Sequence, residues 1–172
     1  MTKIYHPIEP SIESNIVETF VQALDWQPVT LMETLAPFFG KGIYAIYYNG
    51  TFQVYESITK QNIPIYVGKT IHVYRGDSDD DSTNSRSLYY RLIEHSSRIK
   101  NTMNLEIAHF GCKYLVLNDI WPILCYKQLI RKYKPHWNTI IKGFSNHNPG
   151  QRRHASVTEW DAIHPCRNKT QF

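Results

Sequence analysis

Two tyrosine-bearing runs near the middle of the chain, Gly42-Ile43-Tyr44 and Ile65-Tyr66-Val67-Gly68-Lys69, constrain the fold more than anything else in the sequence. The stretches containing them, Gly42 to Tyr48 and Ile63 to Gly68, are rich in Ile, Val and Tyr and end at the turn signals Asn49-Gly50 and Gly68-Lys69-Thr70. Both therefore read as neighbouring strands of one sheet. From Ser87 the pattern changes to helical spacing. Leu88, Arg91 and His95 stand at i, i+3 and i+7, which puts Arg91 and His95 one turn apart on a single face. Such an arrangement would gather phenols, a guanidinium and an imidazole around one phosphate. The arginine fork matches phosphate oxygens, and a histidine moves protons near neutral pH. Taken singly, each residue has an ordinary use: strand tyrosines pack, and a helical Arg or His is commonly solvated. Their joint order is what points to phosphodiester cleavage.

The rest of the chain reads as one domain. Ser11 to Leu24 carries Ile12, Ile16, Val17, Phe20, Val21 and Leu24 at helical spacing behind an N-cap-like serine, so a helix packed outside the core is expected, available to a dimer interface. Residues 76–85 are polar and acidic and read as a loop; Asp77, Asp79 and Asp81 alternate as in a calcium loop, but its turn glycine and closing glutamate are missing. Lys113 to Leu117 reads as a third strand, followed by a helix around Tyr126. Beyond Asn138 the Asn, His, Gly and Pro content suggests extended segments that wrap the core. The expected class is α+β, with a small antiparallel or mixed sheet of about three strands flanked by helices. In this reading, residues 1–37 form an N-terminal helical extension, 38–140 the core and 141–172 a C-terminal wrapping extension of one compact domain.

A formal charge of +4 and a pI near 8.9 are compatible with nucleic acid, and the placement of the cations says more. Lys127, Arg131, Lys132 and Lys134 cluster around the Tyr126 helix, Arg152, Arg153 and His154 form a second run, and Arg167 and Lys169 follow. Any one such run reads as readily as a solvated face, and beside the tyrosine strands and the Arg91 helix contact with a phosphate backbone is the better reading. The three cysteines, Cys112, Cys125 and Cys166, show no C-x-x-C spacing, which favours reduced thiols in a cytoplasm over zinc or disulfides. No apolar run is long enough to span a membrane, and no charged-then-apolar leader is evident, so a soluble cytoplasmic protein is expected.

These motifs resemble the GIY-YIG nucleases, with Val67 in place of the usual isoleucine of the second tripeptide. The resemblance narrows over Gly42-Ile43-Tyr44-Ala45-Ile46-Tyr47-Tyr48, Pro64-Ile65-Tyr66-Val67-Gly68-Lys69, Asn104-Leu105, Phe110, Asp119-Ile120-Trp121, Lys134-Pro135-His136-Trp137-Asn138, Gly143-Phe144-Ser145-Asn146-His147-Asn148-Pro149-Gly150 and Trp160-Asp161-Ala162-Ile163-His164-Pro165. Together these blocks, from Phe38 to Arg167, are similar to the type II restriction endonucleases of the superfamily that cut CCGCGG. The resemblance implies a catalytic set of Tyr44, Tyr66, Arg91, His95 and Asn138. Tyr44, helped by His95, would be general base through a lowered phenol pKa, and Arg91 would neutralise phosphoryl charge. Tyr66 and Lys69 would orient the phosphate, and Asn138 would fix the site or a leaving-group water. Arg131, Lys134, Arg152 and Arg153 would contact DNA. It further implies one Mg²⁺ ion, double-stranded DNA, a homodimer on a palindrome and a companion DNA methyltransferase. One departure stands out: the family's metal-binding glutamate falls at Tyr126. Glu94 and Asp119 are the nearest acids. Asp119 already has a counterpart in the family, and Glu94 is expected more than a quarter turn from the Arg91–His95 face. The alternative is a DNA-binding pseudo-nuclease.

Overall fold

The computed structural model describes residues 11–71, 86–118, 120–145 and 157–167, with side chains from residue 14 onward. In chain order the elements are α1 (Ser11–Trp26), β1 (Thr30–Leu31), β2 (Gly42–Tyr48), α2 (Glu56–Gln61), β3 (Tyr66–Thr70), α3 (Ser87–Lys100), β4 (Phe110–Val116), α4 (Trp121–Tyr133), α5 (His136–Thr139) and α6 (Glu159–Ile163). The strands form one antiparallel sheet in the order β1-β4-β2-β3. The α+β class is as expected, with an antiparallel sheet of four strands. The fourth is β1, whose Thr30 and Leu31 pair with Cys112 and Gly111.

The central strand β2 is buried along its whole length, as its nearly unbroken apolar run requires, so both sheet faces must be covered. On one face Tyr44, Ile46 and Tyr48 pack with Leu88, Leu92 and Ile99 of α3 and with Trp137, Phe144 and Trp160. Across the other, Ile43, Ala45 and Tyr47 pack with Val17, Val21 and Leu24 of α1 and Cys125 and Leu129 of α4. The helix expected to lie outside the core is therefore the cover of this second face. Its Val17, Val21 and Leu24, at i, i+4 and i+7, are buried because they share one stripe. Asp25 at its end accepts hydrogen bonds from Tyr133 Oη (2.6 Å) and Lys132 Nζ (3.0 Å), tying α1 to α4. Among the described residues no helix is long and apolar enough to cross a membrane.

The C-terminal segment wraps the first face, and it contains the short α6 that its polar composition hid. Thr158 and Asp161 form a reciprocal capping box at its start. Two sets of polar ties hold this segment down. Arg98 donates to the carbonyls of Gly143 (2.9 Å) and Phe144 (2.5 Å) and to Asp161 Oδ1 (2.8 Å). His164 accepts from the Tyr55 hydroxyl at Nε2 and donates from Nδ1 to Asn104 Oδ1 (3.0 Å), while Trp137 Nε1 donates to Tyr55 Oη (2.8 Å). Each polar atom in that chain has a partner only if His164 is neutral. The acidic loop over residues 76–85 and the run Arg152-Arg153-His154 lie outside the described residues.

Candidate active site

Strand register brings the two tyrosine motifs together. Tyr44 of β2 stands opposite Gly68 of β3, and a Cβ at Gly68 would overlap the Tyr44 ring. Glycine there makes room for the phenol. The Tyr44 ring is 6.1 Å from Tyr66, centre to centre, and its Oη lies 2.7 Å from His95 Nε2. His95 arrives from α3, whose buried stripe Leu88, Leu92, His95, Ser96 and Ile99 puts the imidazole against the sheet. Tyr44 and His95 are almost wholly buried, at 1% and 2% exposure, so their hydrogen bond is shielded from water.

Electrostatics at the two phenols run against the expectation of a lowered phenol pKa. Burial, and then the neighbouring Tyr66, hold the Tyr44 pKa well above its ordinary value, with Arg91 pulling only partly the other way. Burial likewise raises Tyr66, opposed by a hydrogen bond from Ser145 and the charge of Arg91. Both are therefore neutral phenols at physiological pH. Arg91 would be lowered by its own burial, but Tyr44 and Glu94 outweigh this and leave its pKa raised. The guanidinium stays charged beside the phenols.

Arg91 does not stand alone. Its Nη1 donates to Glu94 Oε2 at 2.6 Å and its Nη2 to the Ser145 carbonyl at 3.3 Å. Glu94 is thus not off the Arg91 face: residues three apart on a helix differ by only about 60° and meet as neighbours. Asn138 meets the site through the backbone. Its amide accepts from Val67 N–H (2.8 Å) and donates to Val67 C=O (2.9 Å), while Trp137 N–H donates to Ile65 C=O (2.9 Å). The free edge of β3 is completed by α5 as if by another strand, which fixes the backbone that carries Tyr66 and Gly68.

Residues 36–171 match the family described as the Eco29kI GIY-YIG domain. The chain belongs to that family. It is a family of type II restriction endonucleases, so a nuclease acting on DNA is what membership implies. No curated protein matches the chain.

Within this family frame, the remaining expected residues fall into three groups. Tyr126 of α4 is half-buried against the second core and also lies close enough to Tyr66 to raise its pKa; Lys69 Nζ sits 4.9 Å above the Tyr126 ring. Tyr126 belongs to the packing stripe and to the rim of the site at once. Arg131 and Lys134 are exposed on and just after α4, free to face a phosphate backbone. Lys132 and Arg167, by contrast, are used as ties, Lys132 to Asp25 and Arg167 to the Thr102 carbonyl (2.5 Å). Asp119, Arg152 and Arg153 lie outside the described residues.

A magnesium ion needs several oxygen donors, usually with a carboxylate. Among the described residues no three His, Cys, Asp or Glu side chains converge, and Glu94 is engaged by Arg91. The described donors do not fit a divalent ion. Sequence reasoning gave no role to Phe144, Ser145 or Arg98, all of which border the site. A ring face and a backbone carbonyl leave no residue-type signature, although Phe144 and Ser145 sit inside the family blocks.

Proposed function

We propose that this protein is a type II restriction endonuclease that hydrolyses a phosphodiester bond in a short palindromic duplex. The observation that carries the reading is the buried 2.7 Å contact between Tyr44 Oη and His95 Nε2 with the Arg91 guanidinium beside it. A neutral phenol cannot wait as a phenolate, so Tyr44 acts as a relay. It takes the proton of the attacking water while passing its own to His95 Nε2, and no buried phenolate accumulates. As the water oxygen bonds to phosphorus the bond to one sugar oxygen breaks, that oxygen takes a proton from a solvent water as it leaves, and Arg91 faces the charge that builds on the phosphoryl oxygens. Tyr66 and Lys69 orient the phosphate, Asn138 holds β3 in place, and Arg131, Lys134, Arg152 and Arg153 contact the flanking backbone. No step is assigned to a metal ion.

The target follows the family resemblance: CCGCGG, read by a homodimer whose two-fold axis matches that of the site, in the cytoplasm beside a methyltransferase that protects the same sequence. The decisive experiment is incubation of phage-sized DNA in Mg²⁺, in Mn²⁺ and in chelator, followed by sequencing of the ends. Discrete fragments with ends in CCGCGG support the whole reading. Discrete fragments with another end sequence keep the enzyme and discard the target.

A second reading is favoured by one observation, the phenol of Tyr126 under the Lys69 ammonium where the family resemblance puts a carboxylate. In that reading the protein binds its duplex without cutting. Specific retention of DNA with no cleavage under any of the three conditions would select it.

A further inference from the structure

The relay depends on the plane of the His95 ring, and nothing in the side chain itself fixes that plane. Rotation about χ2 of histidine is broad, so neighbours must decide where Nε2 points. One such neighbour is Phe144, which is fully buried. Its ring stacks on the imidazole at 4.6 Å between centres, with 19° between planes. Tyr66 packs against the imidazole at 5.2 Å and 63°, and against Phe144 at 5.0 Å. Turning the imidazole away from Tyr44 would drive its edge into the Phe144 face.

Phe144 is itself held from several sides. Trp137 lies 4.4 Å away, and Arg98 donates to the Gly143 and Phe144 carbonyls while it pairs with Asp161 and covers Trp160 at 4.4 Å. Gly143 has φ +113°, and a Cβ there would overlap Thr158, so only glycine allows this approach. One backbone turn and one guanidinium thus fix Phe144, whose ring face meets His95.

We propose that Phe144 is a positioning residue of the active site, holding the His95 imidazole in the plane that keeps Nε2 in line with the Tyr44 hydroxyl. This rests on the relay reading above. The described part of the C-terminal segment then belongs to the catalytic apparatus through position alone.

The test compares Phe144→Leu, which keeps the apolar bulk but loses the flat face, with Phe144→Tyr, which keeps the face. Single-turnover cleavage of a duplex should slow by about tenfold in Phe144→Leu, part of what general acid–base catalysis supplies. DNA Kd should stay within about twofold of the parent, and Phe144→Tyr should hold the parental rate. A purely structural role would lower both variants together or raise Kd with the rate loss. Either of those results, or a parental rate in Phe144→Leu, overturns the proposal. Imidazole ¹⁵N spectra of His95 in the DNA-free protein give an answer independent of cutting. If the parent never cuts, the nuclease reading fails. Altered His95 signals in Phe144→Leu alone would then still support Phe144, and unchanged signals would overturn it.

Discussion

The buried His164 makes the protein's stability fall steeply in mild acid. His164 is 1% exposed, and burial pushes its pKa down from the ordinary 6.5 to about 4. Between these values the unfolded chain binds a proton that the folded chain refuses. Stability therefore falls as pH drops from about 6.5 to about 4, and it is fully retained above 6.5. A shift of this size, at about 1.4 kcal/mol per unit, removes about 3 kcal/mol by pH 4 and about 2 kcal/mol by pH 5. The structural reason is that Nε2 already accepts from Tyr55 and Nδ1 already donates to Asn104, so a second ring proton would face the Tyr55 hydroxyl hydrogen. Urea unfolding read by tryptophan fluorescence suits the site, because Trp160 and Trp137 pack 5.0 Å and 5.9 Å from the imidazole. His164→Gln should be less stable at pH 7 but lose about 2 kcal/mol less than the parent on going to pH 5. Equal losses in the two proteins, or an NMR titration of His164 near 6.5, would refute the reasoning.

Other outcomes follow from the same geometry. Arg91→Ala should slow cleavage roughly a hundredfold, the worth of one transition-state donor, with little change in DNA binding; parental rates in a single-turnover assay would mean the cluster is misread. Asn138→Ala strips two hydrogen bonds from Val67 and should cost about 1–3 kcal/mol in chemical denaturation. Sedimentation of the protein with a short palindromic duplex should show two chains per duplex, and double-strand breaks from a strict one-to-one complex would count against the dimer. Tyr126→Glu should raise Mg²⁺ affinity in a calorimetric titration while Tyr126→Phe does not; no gain in the glutamate variant would place the metal position elsewhere.

How much was legible depends on what each residue's role is made of. The paired strands and the Arg91 helix could be read because their periodicity is strong and their chemistry lies in residue types at fixed spacing. β1 could not, since a two-residue strand exists only through its pairing with β4. α6 was hidden by polar composition, though its capping pair Thr158 and Asp161 was a readable start signal. The raised Tyr44 pKa is not legible in the sequence for a physical reason: motifs show which charges are near, whereas desolvation depends on packing in the fold. Asn138, expected to fix the site or a leaving-group water, meets the backbone edge at Val67, and no spacing rule tells those two uses apart.

Tyr126 joins these threads because it is both core and rim. Its ring packs with Ile130 and Tyr133 against the second face while its outer side carries the Lys69 ammonium. A carboxylate at this position would lose packing contacts and meet that ammonium at close range, so Lys69 would pair with it and compete with an incoming ion. The phenol and the lysine are therefore coupled: a glutamate at 126 reaches its full effect on Mg²⁺ binding only when Lys69 is also neutralised. In a double-mutant cycle, Tyr126→Glu and Lys69→Met should give more than additive gains in Mg²⁺ affinity, whereas two residues acting separately would add. Additivity would show that the ammonium above the ring is a packing contact with no bearing on what the site can hold.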